Sequence, residues 1–329
     1  MSVTVKELSA NDLKIILDFT VNLARKAGEL IIEGSEAIQL AGSNVDEKKN
    51  SVDLVTEYDV RVEELVKKEI FAAYPDFKFI GEESYAAGSR SPLTDDPTYC
   101  VDPIDGTTNF VHGFPWVCIS LGLIYKKKPV LGVIFNPFMD LMYTGINGQG
   151  SYVSRLGGPP KKLPLAKSPK PLATLNHAQI AVEWGNDRTV DPLTKRSESF
   201  HKLAGDPNNG VEGGRMAHSL RSLGSSAMNF ATVAQGGLDI YWEIGCWPWD
   251  VCAGMVIAQE AGGLVTGSHA YYEKTKDLPS FGEPTEEILT GRKYLVIRAV
   301  GDSETEKAHD AQKRIMGEFY STVVDYNVS

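Results

Sequence analysis

The segment Tyr99-Cys100-Val101-Asp102-Pro103-Ile104-Asp105-Gly106-Thr107-Thr108-Asn109-Phe110 runs from an apolar, strand-like stretch straight into two carboxylates, a proline and a glycine-threonine turn. Few folds accept that, because acids clustered away from water are costly unless a cation compensates them. Asp102 and Asp105 are three apart across a turn, so both can aim oxygens at one region, while Pro103 fixes φ and removes a competing donor. Gly106 and Thr107 follow where a chain entering a helix leaves N–H groups unpaired, a place suited to a phosphate oxygen. Carboxylates for a hard cation beside amides for an anion point to metal-assisted phosphoryl chemistry. The plainer reading is an Asp-rich turn that caps a helix.

Three further segments bear on that choice. Residues 76–80 read as a strand running into Gly81-Glu82-Glu83-Ser84, which sets adjacent acids at a strand end, where α/β sheets usually place ligands. Asp59 opens a helical pattern through Val62, Leu65, Val66 and Ile70, with a helix N-cap as its plain reading. Trp247-Pro248-Trp249-Asp250-Val251-Cys252-Ala253-Gly254 sets Asp250 just ahead of a small-residue helix expected over 253–261, where it too has a plain reading as a cap.

In this order the four segments resemble the inositol monophosphatase family of magnesium-dependent, lithium-sensitive sugar phosphatases, over roughly residues 10 to 300. The resemblance implies an α+β fold, a layered α-β-α-β-α sandwich of the inositol monophosphatase and fructose-1,6-bisphosphatase type, with metals held where two halves meet. It assigns Glu82, Asp102, Asp105, Asp250 and the Ile104 carbonyl to metal binding. Thr107 and Glu82 would orient the attacking water, Asp59 would hold Thr107 or a further weakly bound metal, and the Gly106 and Thr107 amides would bind phosphate. Asp105, Gly224, Ser225, Ser226 and Glu243 match sugar-facing positions, Lys48 matches a lysine that approaches from a polar loop at 44–51, and Asn186 stands near a family serine contact. Lys48 reads equally as a solvated charge. Glu243 reads also as a strand carboxylate paired with a cation such as Arg221.

Oxygen-only ligation suits Mg²⁺, two or three ions by resemblance, and His112, His177, His201, His218 and His269 match no zinc motif. The expected substrate is myo-inositol monophosphate or a related polyol phosphate. A nucleotide 3',5'-bisphosphate or fructose bisphosphate would need a basic or aromatic pocket, and no arginines cluster near the second-half motifs beyond Arg215 and Arg221. A catalytically weak, metal-binding regulatory protein is the reading from another class, and retention of all five acids with Thr107 counts against it. Trp247, in place of a smaller polar residue, and a Gly-rich insert at 205–214 depart from the animal pattern and resemble fungal members, which include a quinate-cluster branch.

The net charge of -10 argues against nucleic acid or an anionic membrane as partner, and it means an anionic substrate must be drawn in by bound cations. Cys100, Cys118, Cys246 and Cys252 show no metal-site spacing and read as buried free thiols in a reducing compartment. No run approaches the roughly 18 apolar residues of a membrane span. Lys6, Glu7, Asp12 and Lys14 break any signal-like core, so a cytoplasmic protein is expected. A homodimer is expected by resemblance alone.

Along the chain, apolar spacing predicts a helix over 9–34 closed by Gly34. Runs at 119–125 and 130–135 form a hairpin, and 141–144 and 150–153 extend it through the Asn147-Gly148 turn, an antiparallel meander. The Pro- and Lys-rich stretch at 157–171 marks a boundary between an N-terminal half, 1–160, carrying most metal ligands, and a C-terminal half, 161–329, carrying Asp250 and the substrate contacts. It is too short for a flexible linker, so the halves should form one compact unit. In the second half, strands are expected at 179–182, 239–244 and 295–299, helices at 191–203 and 229–235, and an exposed loop at 205–214.

Overall fold

The computed structural model describes residues 7–41, 45–47 and 54–328. Lys48 and the rest of the loop around it lie outside the described residues.

Helix α1 (Ala10–Ala41) starts at Ser9, whose hydroxyl accepts from the Asp12 N–H while the Asp12 carboxylate accepts from the Ser9 N–H at 2.9 Å. It buries Ile16, Leu23, Ala27, Ile31 and Ile38 along one face. The helix does not stop at Gly34, as its sequence suggests. A Cβ there would lie 2.5 Å from the Tyr58 ring, so this glycine serves close packing inside the helix. Strands β1 (Val45–Glu47) and β2 (Leu54–Thr56) pair antiparallel and lead into α2 (Glu57–Ala73).

A seven-stranded sheet follows, formed by β3 (Lys78–Gly81), β4 (Thr98–Asp105), β5 (Cys118–Tyr125), β6 (Lys128–Asn136), β7 (Leu141–Ile146), β8 (Gly150–Arg155) and β9 (Lys161–Lys162) in that spatial order. Only β3 and β4 pair parallel; the rest is the expected meander. Short helices α3 (Glu82–Ala86) and α4 (Thr107–His112) leave the ends of β3 and β4.

The second sheet has the order β11 (Ser219–Arg221), β10 (Gln179–Val182), β12 (Ile240–Ile244), β14 (Lys293–Ile297), β13 (Leu264–Thr266). Its residues alternate faces as the pleat requires. Ala181 and Tyr241 point to α6 (Ser226–Gln235) and α7 (Pro248–Glu260), and Ile180, Val182, Ile240 and Trp242 point to the core under α5 (Val190–Ala204) and α10 (Ala308–Tyr320). Helices α8 (His269–Thr275) and α9 (Glu286–Thr290) lie between β13 and β14 along the chain.

The layers are therefore α1 and α2, the first sheet, α6 and α7, the second sheet, then α5 and α10: the α+β sandwich expected. The middle layer lies hard against the first sheet because three neighbouring strands carry glycine beneath α7. A Cβ on Gly132 would sit 2.3 Å from the Ala253 carbonyl, and one on Gly122 2.5 Å from Cys252 Sγ. Several boundaries differ from expectation. Helix α7 starts at Pro248, so Asp250 lies in its first turn and not ahead of it, and α6 starts at Ser226. Strand β14 ends at Ile297, and β11, β13, α8, α9 and α10 have no forecast counterpart. Among the described residues no helix is long and apolar enough to cross a membrane.

Candidate functional site

The paired register of β4 and β5 breaks between Asp102 and Asp105, at Pro103, which has no N–H for the ladder. The break turns both carboxylates out of the strand. Asp102 accepts from the Ile104 N–H at 3.0 Å, and Gly106, at φ 96°, swings the chain into α4. Asp250 arrives from α7, and there Asp102, Asp105 and Asp250 each bring a carboxylate oxygen within 4.8 Å of the others. Glu82, first residue of α3, adds its charge to all three.

Each acid of this trio resists ionisation. Burial raises Asp102 well above the usual carboxylate range, and the charges of Glu82, Asp105 and Asp250 raise it further. Burial lifts Asp250 to about 7, with Glu82 and Asp105 adding to it while the Trp247 N–H, donating at 2.5 Å, opposes. Asp105 rises only to about 6, since three donors oppose burial: Ser225 Oγ at 2.7 Å, the Ala227 N–H at 2.6 Å and the Ser226 N–H at 3.2 Å. Oxygen-only donors, two buried and one half-buried and all repelling one another, are the set that a hard divalent cation completes, and these residues fit one.

The remaining expected residues fall around the trio. Thr107 Oγ1 donates to Asp59 Oδ1 and to the Ile104 carbonyl, both at 3.2 Å. Asp59 is also the third residue of a capping box on α2, its other oxygen accepting from the Thr56 N–H and hydroxyl, so capping and bracing of Thr107 coexist in one side chain. Ser225 and Ser226 are buried; Ser225 caps α6 and Ser226 Oγ accepts from Tyr241. Gly224, at φ 79°, faces the Asn109 amide. Glu243 is buried on β12 and pairs with Arg196 at 3.9 Å, not with Arg221, which turns to Ser219 and the Leu220 carbonyl. Burial lifts the Glu243 carboxyl to about 8 against the Arg196 charge. Asn186 lines a separate cavity beside β12.

Three organising side chains escape the sequence reading. Glu63, buried on the apolar face of α2, accepts from the Glu83 and Ser84 N–H groups at 2.8 and 2.7 Å and so holds the Glu82 turn. Its signal was an acid in the stripe Val62, Val66, Ile70. Glu183, directly after β10, accepts from the Leu223 and Gly224 N–H groups at 2.8 and 3.0 Å and from Asn229 at 2.8 Å. An acid at a strand end is the same cue that Glu82 presents. Asn109 donates to the Trp116 and Leu223 carbonyls at 2.9 and 2.7 Å, tying α4 to the 222–225 loop. All four cysteines are free thiols, three of them buried.

The Inositol monophosphatase family matches residues 12–315. Protein qutG of Emericella nidulans is 41% identical over 331 residues, 96% of this chain and 96% of its own. Inositol monophosphatase 2 of Saccharomyces cerevisiae is 43% identical over 235 residues, 70% of this chain and 75% of its own. The extragenic suppressor protein suhB of Bartonella henselae has the same fold, with a TM-score of 0.67 at 24% identity over 92% of this chain and 98% of its own.

Proposed function

The chain belongs to the inositol monophosphatase family, a family of phosphatases, and from that membership we propose that it is a Mg²⁺-dependent phosphomonoesterase acting on myo-inositol monophosphate or a related polyol phosphate. The observation that carries this reading is the trio of buried Asp102 and Asp105 with half-buried Asp250, brought together from two halves of the sandwich.

Asp102, Asp105, Asp250, Glu82 and the Ile104 carbonyl would hold two or three Mg²⁺ ions. When bound, Mg²⁺ acidifies water and neutralises charge developing on the phosphoryl and leaving oxygens. Thr107, held by Asp59 at 3.2 Å, would orient the attacking water together with Glu82. The Gly106 and Thr107 amides would take phosphate oxygens. Their worth lies in positioning, the main protein contribution to phosphoryl transfer. Asp105, Gly224, Ser225, Ser226 and Glu243 would border the sugar. With Ser225 and Ser226 engaged on Asp105 and Tyr241, their contribution is to hold the wall and Asp105 in place.

We extend the reading to inhibition by lithium, a homodimer and a cytoplasmic setting, all of which rest on the family. The deciding experiment is phosphate release from myo-inositol 1-phosphate, other sugar phosphates, fructose 1,6-bisphosphate and adenosine 3',5'-bisphosphate, each with Mg²⁺ and with EDTA. Release led by polyol phosphates and abolished by EDTA is expected. Release indifferent to EDTA, or none from any compound, overturns the proposal.

A further inference from the structure

Glu183 stands one residue past the end of β10, and protein donors fill its carboxylate. Oε1 accepts from the Leu223 N–H at 2.8 Å, the Gly224 N–H at 3.0 Å and the Asn229 amide at 2.8 Å, and Oε2 accepts from the Ser222 hydroxyl at 2.9 Å. Donors from one loop and from the first turn of α6 thus converge on a single side chain. A carboxylate suits that task because it only accepts, whereas an amide in its place would turn N–H groups toward N–H groups.

The arrangement is kept at a cost. Register sets Val182 of β10 beside Trp242 of β12, so Glu183 follows next to Glu243, a second acid, and its charge adds to burial in raising that carboxyl. Asn229 is fully buried, and its Oδ1 has no hydrogen-bond partner among the described residues. A like charge alongside and a buried orphan oxygen both oppose folding, and such departures gather where geometry serves function.

What the clamp holds is the loop that meets the acidic trio. The Leu223 N–H goes to Glu183 in the second half, and the Leu223 carbonyl accepts from Asn109 in the first at 2.7 Å. One residue on, Gly224 brings its carbonyl so close to the phosphate turn that a Cβ on Gly106 would lie 3.0 Å from it. Ser225, next again, gives its hydroxyl to Asp105. We propose that Glu183 is a positioning residue: with Asn109 it latches Leu223 from both halves, and so sets Gly224 and Ser225 against Gly106 and Asp105, bringing the sugar wall into register with the phosphate turn. Its oxygens being taken up by protein donors, Glu183 acts through the loop and not on the substrate. The inference rests on the phosphatase reading for its substrate and on the hydrogen bonds alone for the latch.

Two measurements on the full chain separate these. Hydrogen exchange is followed by mass spectrometry on the peptide covering 219–227 in wild type and Glu183→Gln. Exchange there should quicken about tenfold in the variant while that of β12 holds, since local opening is what the lost bonds restrain. With Mg²⁺, kcat and KM are then measured for the polyol phosphate that wild type hydrolyses fastest, in Glu183→Gln, Asn109→Ala and the double variant. Each single change should raise KM about tenfold with kcat within about threefold, a pattern that loss of stability alone does not produce. The double variant should exceed either single by less than about threefold, because a loop freed from one side has no second hold to lose.

Should Glu183→Gln fail to fold, Ser222→Ala takes its place: it removes one donor from an exposed position and should raise KM about threefold, the size of one hydrogen bond. Unaltered exchange in the folded variant overturns the latch. Faster exchange with an unaltered KM, or a double variant whose KM is the product of the two single effects, overturns the positioning role. If wild type hydrolyses no compound, the phosphatase reading fails and the exchange measurement still decides the latch.

Discussion

Asp250 concentrates the chemistry of the site in one residue: it caps α7 through the Trp247 N–H and completes the acidic trio. Its ordinary pKa of 3.8 is raised by folding to about 7, so its ionisation opposes folding increasingly as pH climbs from that lower value and fully above about 7. Asp250→Asn keeps an oxygen for the cap and removes the charge. In EDTA at pH 8 the variant should melt at or above the wild-type temperature while turnover falls at least about a thousandfold, in line with loss of a group that organises transition-state charge. A variant that melts lower, or keeps its turnover, contradicts the assignment.

The same shifts set a pH dependence. On the proposed reading Mg²⁺ would displace protons from Asp105 and Asp250, whose carboxyls burial lifts to about 6 and about 7. The rise in melting temperature produced by a fixed Mg²⁺ concentration should therefore be larger at pH 8 than at pH 6. An equal rise at both would place the ion elsewhere.

Among the elements, α7 governs how the two sheets meet. Its backbone touches the first sheet through Gly122 and Gly132, so Gly132→Ala would drive a Cβ to 2.3 Å from the Ala253 carbonyl, which must move. Overpacking of this kind costs about 1–3 kcal/mol, measurable by urea unfolding, and because α7 carries Asp250 the variant should also bind Mg²⁺ more weakly. Helix α4 is tied to the opposite half through Asn109, which donates to the Leu223 carbonyl at 2.7 Å. Asn109→Ala should loosen the 222–225 loop that holds Asp105, raising KM more than it lowers kcat. A pure stability loss with unaltered KM would argue against that coupling.

At the scale of the molecule, one buried cluster spans α6, α7 and the facing sides of both sheets, with Cys100 and Ile134 from the first beside Tyr241 and Val296 from the second. Neither half can bury its inner face alone. We therefore expect residues 1–160 and 161–329 to unfold together, with fluorescence of Trp242 and Trp249 and far-ultraviolet circular dichroism changing at one midpoint. Separate midpoints would make the halves independent domains.

Much of this was written along the chain. Short apolar runs at 119–153 separated by polar turns dictate the meander, because each is long enough for a strand and joined too tightly for anything but an antiparallel pair, and local turn chemistry at Asp102–Thr107 sets acids beside amides whatever the rest does. Four ordered motifs sufficed to name the family. What the sequence left open depends on distance through space. Nothing local makes Asp250 meet Asp102, extends α1 past Gly34 to receive Tyr58, or pairs Glu243 with Arg196 instead of Arg221. Arg188, Arg196 and Arg292 are spread over more than a hundred residues, so nothing along the chain marks them as a cluster. Only the packing of α5, β12 and the C-terminal Tyr326 gathers them around one cavity, since charge density belongs to the surface a fold encloses and not to the order of residues along it.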